Sequence, residues 1–238
     1  FETASEPLGI LVAASLIWAV GFYDDVRDIS APAKIAGIVL AGSVLSFAGV
    51  GLFILRIPWL DVFVLSSDWS ALLTVVWVLV LTNAINLIDG LDGLAGGVLM
   101  ITLFALLILG STILDMPTTL FIALWLGGIM AFLYFNTYPA RIFMGDVGAL
   151  SFGATLAVIG LLYGKIIAVA IIGGVFILEF ATSAIQMFGK RYLGRRLLPL
   201  SPFHLFLQSV GWEEPKVVTR AWLAGIVLAI FGLWLAFL

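Results

Sequence analysis

The chain has 238 residues, of which 63% are hydrophobic and only 11% charged. A water-soluble domain carries about 25% charged residues, so the apolar surface here needs lipid as its solvent, and no nucleic-acid partner is expected. The net charge of −3 carries little information, whereas the absence of cysteine excludes disulfides, thiolate metal sites and a cysteine nucleophile.

Phe1, Glu2 and Glu6 precede the first apolar run without a basic segment, which argues against a secretory signal peptide. The expectation is a single integral membrane domain over 1–238, truncated at its N-terminus. Eight apolar runs follow. A spanning helix needs about 20 residues, and the runs are continuous rather than alternating, so helices are expected and strands are not. The first run, 8–23, leads to Asp24, Asp25, Arg27 and Asp28. The second, 34–55, leads to a connection over 56–70 with Pro58, Trp59 and Trp69, whose tryptophans fit interfacial anchors. The third, 71–87, carries Asn83 and Asn86 and runs into Asp89 and Asp92. The fourth is 97–114. The fifth, 118–136, leads to Asn136, Arg141 and Asp146. The sixth is 149–163. The seventh, 166–188, contains Glu179 and Gln186 and leads to Lys190, Arg191, Arg195, Arg196, His204, Glu213, Glu214 and Lys216. The eighth is 217–238. This describes an all-α polytopic membrane protein with about eight transmembrane helices.

The polar residues gather after the odd-numbered runs, whose connections all emerge on one face. Nine of the 11 Lys and Arg residues lie on that face, and only Arg56 and Lys165 lie on the other. The positive-inside rule then places the polar loops in the cytoplasm and both termini outside.

The carboxylates differ in how much they say. Asp24 and Asp25 are adjacent like charges that call for a cation or a proton, although a helix end solvated at the headgroups accounts for them equally well. Asn83, Asn86 and Asp89 are spaced by three and share one helical face. Gly90 and Gly93 beside them permit a tight turn or close approach to a ligand. A polar stripe bonding neighbouring helices is the alternative. Asp146 stands between Gly145 and Gly148 after Pro139, where an ordinary turn aspartate would also fit. Taken together, several aspartates without a Cys or His pair offer hard oxygen donors, which suit Mg²⁺ rather than Zn²⁺. Magnesium held by few carboxylates takes substrate phosphates as further ligands, and nearby Arg and Lys would neutralise phosphate oxygens. Glu179, inside an apolar run, is expected to be paired or functional.

Four segments carry a resemblance: GFYDDVRDIS (21–30), TNAINLIDGLDGLAGG (82–97), FNTYPARIFMGDVGAL (135–150) and SPFHLFLQSVGWEEPKVVTRAW (201–222). In this order, over nearly the whole chain, they resemble the polyprenyl-phosphate N-acetylhexosamine-1-phosphate transferase superfamily. The last segment is similar to its phospho-N-acetylmuramoyl-pentapeptide transferase branch. The resemblance implies ten spans in the whole protein and transfer of phospho-MurNAc-pentapeptide from UDP-MurNAc-pentapeptide to undecaprenyl phosphate, giving lipid I and UMP. It implies a multi-pass protein of the bacterial inner membrane with a cytoplasmic active site, acting in peptidoglycan synthesis; a homodimer is an admissible assembly.

By the same resemblance Asp146 would bind Mg²⁺, and Asp24 would deprotonate or orient the lipid phosphate with Asp25 beside it. Lys34 matches the lysine that follows the aspartate pair. Asn86, Asp89 and Asp92 would serve the nucleotide and metal region. Asn136 and Gln186 would line the nucleotide pocket, and Phe143 would stack on uracil. His204, whose ligand would be the diphosphate, matches the first position of a triple histidine in the family; Leu205 and Phe206 occupy the other two. Three readings stand beside this one: a sister transferase using UDP-N-acetylglucosamine, a transporter or channel, and an inactive scaffold.

Overall fold

The computed structural model describes residues 5–113 and 116–238. Phe1 and Glu2, and Leu114 at the expected end of the fourth run, lie outside the described residues. The helices are α1 (Ser5–Arg27), α2 (Ala31–Phe47), α3 (Ser67–Ile88), α4 (Leu94–Ile113), α5 (Met116–Asn136), α6 (Gly145–Tyr163), α7 (Ile166–Ile172), α8 (Gly174–Tyr192), α9 (Phe203–Ser209) and α10 (Glu214–Ala236). Strands β1 (Ile54–Ile57) and β2 (Asp61–Val64) pair antiparallel, with Ile54 opposite Val64 and Ile57 opposite Asp61.

Among the described residues, six helices are long and apolar enough to cross a bilayer, or seven if α7 and α8 form one broken span. The protein is therefore a polytopic membrane protein with fewer full-length spans than the eight expected. Two runs account for the difference. The second does not continue to residue 55: α2 ends at Phe47 after 17 residues, and the apolar residues beyond it enter the hairpin. Hydropathy alone reads β-branched hairpin residues and helix residues alike. The seventh bends by 86° between Ile172 and Gly174.

The chain forms two compact units. The first comprises described residues up to Asn86 together with 144–167. Here α1 lies against α2 and α6, and small residues set the approach. A methyl placed on Gly21 would come within 2.7 Å of the Val147 Cα, and one on Gly153 within 2.4 Å of the Thr82 Cα. Backbone-to-backbone contact of this kind is how helices associate where lipid removes the hydrophobic drive between them. Trp77 Nε1 on α3 donates to the Ala157 carbonyl of α6 at 3.0 Å, satisfying a buried polar group in the apolar interior.

The second unit comprises 87–143, as far as described, and 168–237. In it α4 packs between α5 and α10, and α8 and α9 adjoin α10. Helix α4 is its core, with Leu99, Leu103 and Leu106 fully buried.

Candidate functional site

In the first unit, α1 delivers Asp24 and Asp25 at its C-terminal end, α2 delivers Lys34 in its first turn, α3 delivers Asn86, and α6 carries Asp146 in its first turn. Asp24 is buried, and its Oδ1 accepts the Ile29 N–H at 2.8 Å. That bond folds the chain back after Asp28, a non-glycine residue at φ 50. Pro32 follows directly, in a helical first turn where its missing N–H costs nothing. The turn brings Lys34 back over the end of α1.

The ammonium of Lys34 pairs with Asp24 Oδ2 and with Asp146 Oδ2. Asp146 Oδ1 accepts the amide of Asn86 at 2.5 Å. Asn83, one turn earlier, instead bonds the Leu79 carbonyl of its own helix, so of the two asparagines Asn86 is the one tied to the aspartate.

Asp25 does something else. Its two oxygens accept the backbone N–H groups of Asp146 at 2.8 Å and Val147 at 3.0 Å. A helix begins with unsatisfied N–H groups and a partial positive charge, and a carboxylate answers both. Here the cap comes from 121 residues away rather than from the preceding residue. Gly145 makes room for it: its φ is 64, and a Cβ there would lie 2.9 Å from Asp25 Oδ2.

The first unit thus gathers five of the expected residues, Asp24, Asp25, Lys34, Asn86 and Asp146. Among the described residues no three His, Asp or Glu side chains form a ready-made metal cage. The donors present are nevertheless oxygens, and they already hold one cation, the Lys34 ammonium. This chemistry fits a magnesium ion that keeps one or two protein carboxylates and takes its other ligands from water and phosphate.

In the second unit, the turn after α3 is held from three directions. Asp92 N donates to Glu214 Oε1 at 2.6 Å, and Gly93 N donates to Asn136 Oδ1 at 3.1 Å. Asp92 Oδ2 accepts the Ala140 N–H at 2.8 Å, and the Trp222 indole donates to the Gly93 carbonyl at 3.1 Å. Asn136 also donates to the Ile142 carbonyl at 2.9 Å, so one amide joins the 93 turn to the 137–142 segment. Asp89 is half-buried just beyond α3. Phe143 is 77% exposed, its ring free of the core.

Gln186 is buried and holds the loop after α8: its oxygen accepts from Leu197 N and Leu198 N at 3.0 Å each, and its amide donates to the Leu198 carbonyl at 2.9 Å. His204, on α9, is buried against Glu179 of α8. Glu179, Glu214 and Trp222 had no assigned role in the sequence reading. A carboxylate inside an apolar run was the available signal for Glu179; for Glu214 and Trp222, nothing in their local sequence marks the turn they hold.

A model of glycosyl transferase family 4 matches residues 7–164, the stretch that contains all five residues of the first cluster. The chain belongs to that family. The resemblance read from the four segments is thereby shown. The chain is 38% identical over 184 residues to the phospho-N-acetylmuramoyl-pentapeptide-transferase of Bacillus subtilis, covering 76% of this chain and 56% of that protein. The enzyme of the same name from Bacillus pumilus matches to the same extent. That of Desulforudis audaxviator is 34% identical over 249 residues, covering 96% of this chain and 74% of the relative. The chain spans somewhat more than half the length of the Bacillus family members it matches.

Proposed function

We propose that this chain transfers phospho-MurNAc-pentapeptide from UDP-MurNAc-pentapeptide to undecaprenyl phosphate, giving lipid I and UMP, on the cytoplasmic side of a bacterial inner membrane. The observation that carries the reading is the Asp24–Lys34–Asp146 cluster with Asn86 on the second oxygen of Asp146. It sets alternating charge at the end of a membrane helix, where a lipid phosphate and a diphosphate must both be held. The choice of sugar follows the phospho-N-acetylmuramoyl-pentapeptide-transferases to which the chain is similar.

In the reaction, an oxygen of the lipid phosphate forms a bond to the sugar-side phosphorus of the UDP-sugar. The bond from that phosphorus to the bridging oxygen breaks, and UMP leaves with the electron pair. Positioning and charge neutralisation supply most of the catalysis in such a transfer. Asp24, held by Ile29 N–H, orients the lipid phosphate and accepts its proton when it carries one. Lys34 has its ammonium between two carboxylates and can exchange one of them for a phosphate oxygen. Asp146 is the magnesium ligand, with Asn86 fixing its carboxylate; the ion supplies neutralisation of diphosphate charge when bound. Asp25 positions Asp146 by holding the start of α6. Asp89, Asp92, Asn136 and Gln186 serve the nucleotide, the last three at least by shaping the loops they bond, and Phe143 offers an exposed ring for uracil. His204 hydrogen-bonds the diphosphate.

The full-length protein, reconstituted with undecaprenyl phosphate, should convert UDP-MurNAc-pentapeptide to a lipid diphosphate and release UMP. A lipid product formed only from UDP-N-acetylglucosamine would assign the sister reaction. Neither product, together with no exchange of labelled UMP into UDP-sugar, would remove the transferase reading.

A further inference from the structure

We propose that Glu179 is the positioning residue of His204, fixing the proton on Nδ1 and directing Nε2 at the turn that carries Asp89 and Asp92. The inference rests on the transferase reading above and deepens it by assigning a group that the reaction had left without a role.

Glu179 lies in the N-terminal half of α8 at 3% exposure, and His204 is equally buried. A carboxylate in such a place needs donors. All those shown come from one residue: the His204 backbone N–H reaches Oε1 at 3.1 Å and Oε2 at 3.3 Å, and the ring Nδ1 lies 3.2 Å from Oε2. Holding backbone and ring together fixes both the place of His204 and the rotation of its imidazole. A carboxylate only accepts, so the Nδ1 that faces it carries a proton in the neutral ring and in the imidazolium alike. The atom left to change is Nε2.

Nε2 faces Gly90. A methyl on Gly90 would lie 3.1 Å from it, and Gly90 itself is exposed. Gly90 therefore puts no side chain over the buried ring nitrogen, next to the segment proposed to serve the nucleotide. With Nδ1 committed to Glu179, a protonated Nε2 donates to an anionic phosphate oxygen while the carboxylate behind it balances the ring's charge. This is the arrangement in which an orienting carboxylate sets the tautomer of a working histidine.

His204 is the single histidine of these 238 residues, so in selectively ¹⁵N-histidine-labelled full-length protein in nanodiscs the ring signals that vanish in His204→Gln are those of this ring. In the wild type the neutral ring should be protonated at Nδ1 and bare at Nε2. Glu179→Gln should mix the two tautomers and lower kcat by about ten- to a hundredfold, with KM for the UDP-sugar changed less than about threefold. Gly90→Ala should leave the Nδ1–H tautomer intact and still lower kcat, because it obstructs only Nε2. A wild-type ring protonated at Nε2, or Glu179→Gln with an unchanged tautomer, would overturn the positioning role whatever the activity. Correct tautomers with no loss of kcat in either variant would overturn the link to the reaction. Should Glu179→Gln fail to fold, the wild-type spectrum and Gly90→Ala still decide the matter. Absence of transfer by the wild type would instead count against the proposed reaction, and the tautomer measurement would stand on its own.

Discussion

Lys34 and Asp146 form an ion pair across 112 positions of sequence, and the same ammonium also pairs with Asp24. A buried and a half-buried carboxylate on different helices are thus held together by one cation. Replacing it as Lys34→Met leaves them facing each other uncompensated. Turnover should fall by at least about a hundredfold, and stability by about 1–3 kcal/mol. Because Mg²⁺ can then take the vacated place, millimolar Mg²⁺ should raise the unfolding temperature of the variant more than that of the wild type. Equal shifts in both proteins would mean that the ion does not bind these carboxylates.

Asp146→Asn keeps the shape of the side chain and an acceptor for Asn86, but removes the charge that pairs with Lys34 and that, on the function proposed above, holds magnesium. We expect transfer to drop by more than about a hundredfold, with an unfolding temperature close to that of the wild type. Asp24→Asn should also be severe. Near-normal turnover of Asp146→Asn at ordinary Mg²⁺ would exclude it as the metal ligand.

Asp25 and Gly145 make a steric and electrostatic unit. Gly145→Ala forces an alanine to φ 64 and sets a methyl 2.9 Å from Asp25 Oδ2. The left-handed backbone alone costs about 1–2 kcal/mol. Asp25→Ala removes the carboxylate cap of α6, at about 1 kcal/mol. Because the methyl and the carboxylate compete for one space, the double variant should be less destabilised than the sum of the two singles, as read from denaturation of the reconstituted protein. Strict additivity would show that the crowding is not felt.

Trp222→Phe deletes the indole N–H that reaches the Gly93 carbonyl. One hydrogen bond is worth about 1 kcal/mol, so global stability should change little. The turn itself loses one of its holds, and amide exchange over 89–93 should quicken severalfold. Unchanged exchange there would leave Glu214 and Asn136 as sufficient supports.

The chain has no cysteine, which makes its topology directly testable. Cysteines placed one at a time at Ser30 and Ser201 should react only with reagents admitted to the cytoplasm, and one at Ser67 should react from outside. Labelling of Ser30 and Ser67 positions from the same side would overturn the orientation.

The sequence by itself determined that the protein is built of membrane helices, because too few charges are present to cover it in water. It also marked the aspartates, since ionisable groups near lipid need a reason to be there. Family membership was legible in four short segments, whose glycines and carboxylates stand at fixed local spacing. Tertiary structure decided what each polar group does. Asp24 and Asp25 are neighbours in the chain, yet one pairs with Lys34 while the other caps α6. Glu179 finds its partner 25 residues away, and Gln186 closes a loop 11 and 12 residues on. The bend between α7 and α8 and the end of α2 at Phe47 were equally hidden. Hydropathy averages along one dimension, so it finds the lipid-facing length of a helix. Which way a side chain faces at the end of that helix depends on rotation about its axis and on where backbones can touch, as Gly21 and Gly153 allow. Those quantities exist only once the helices are packed.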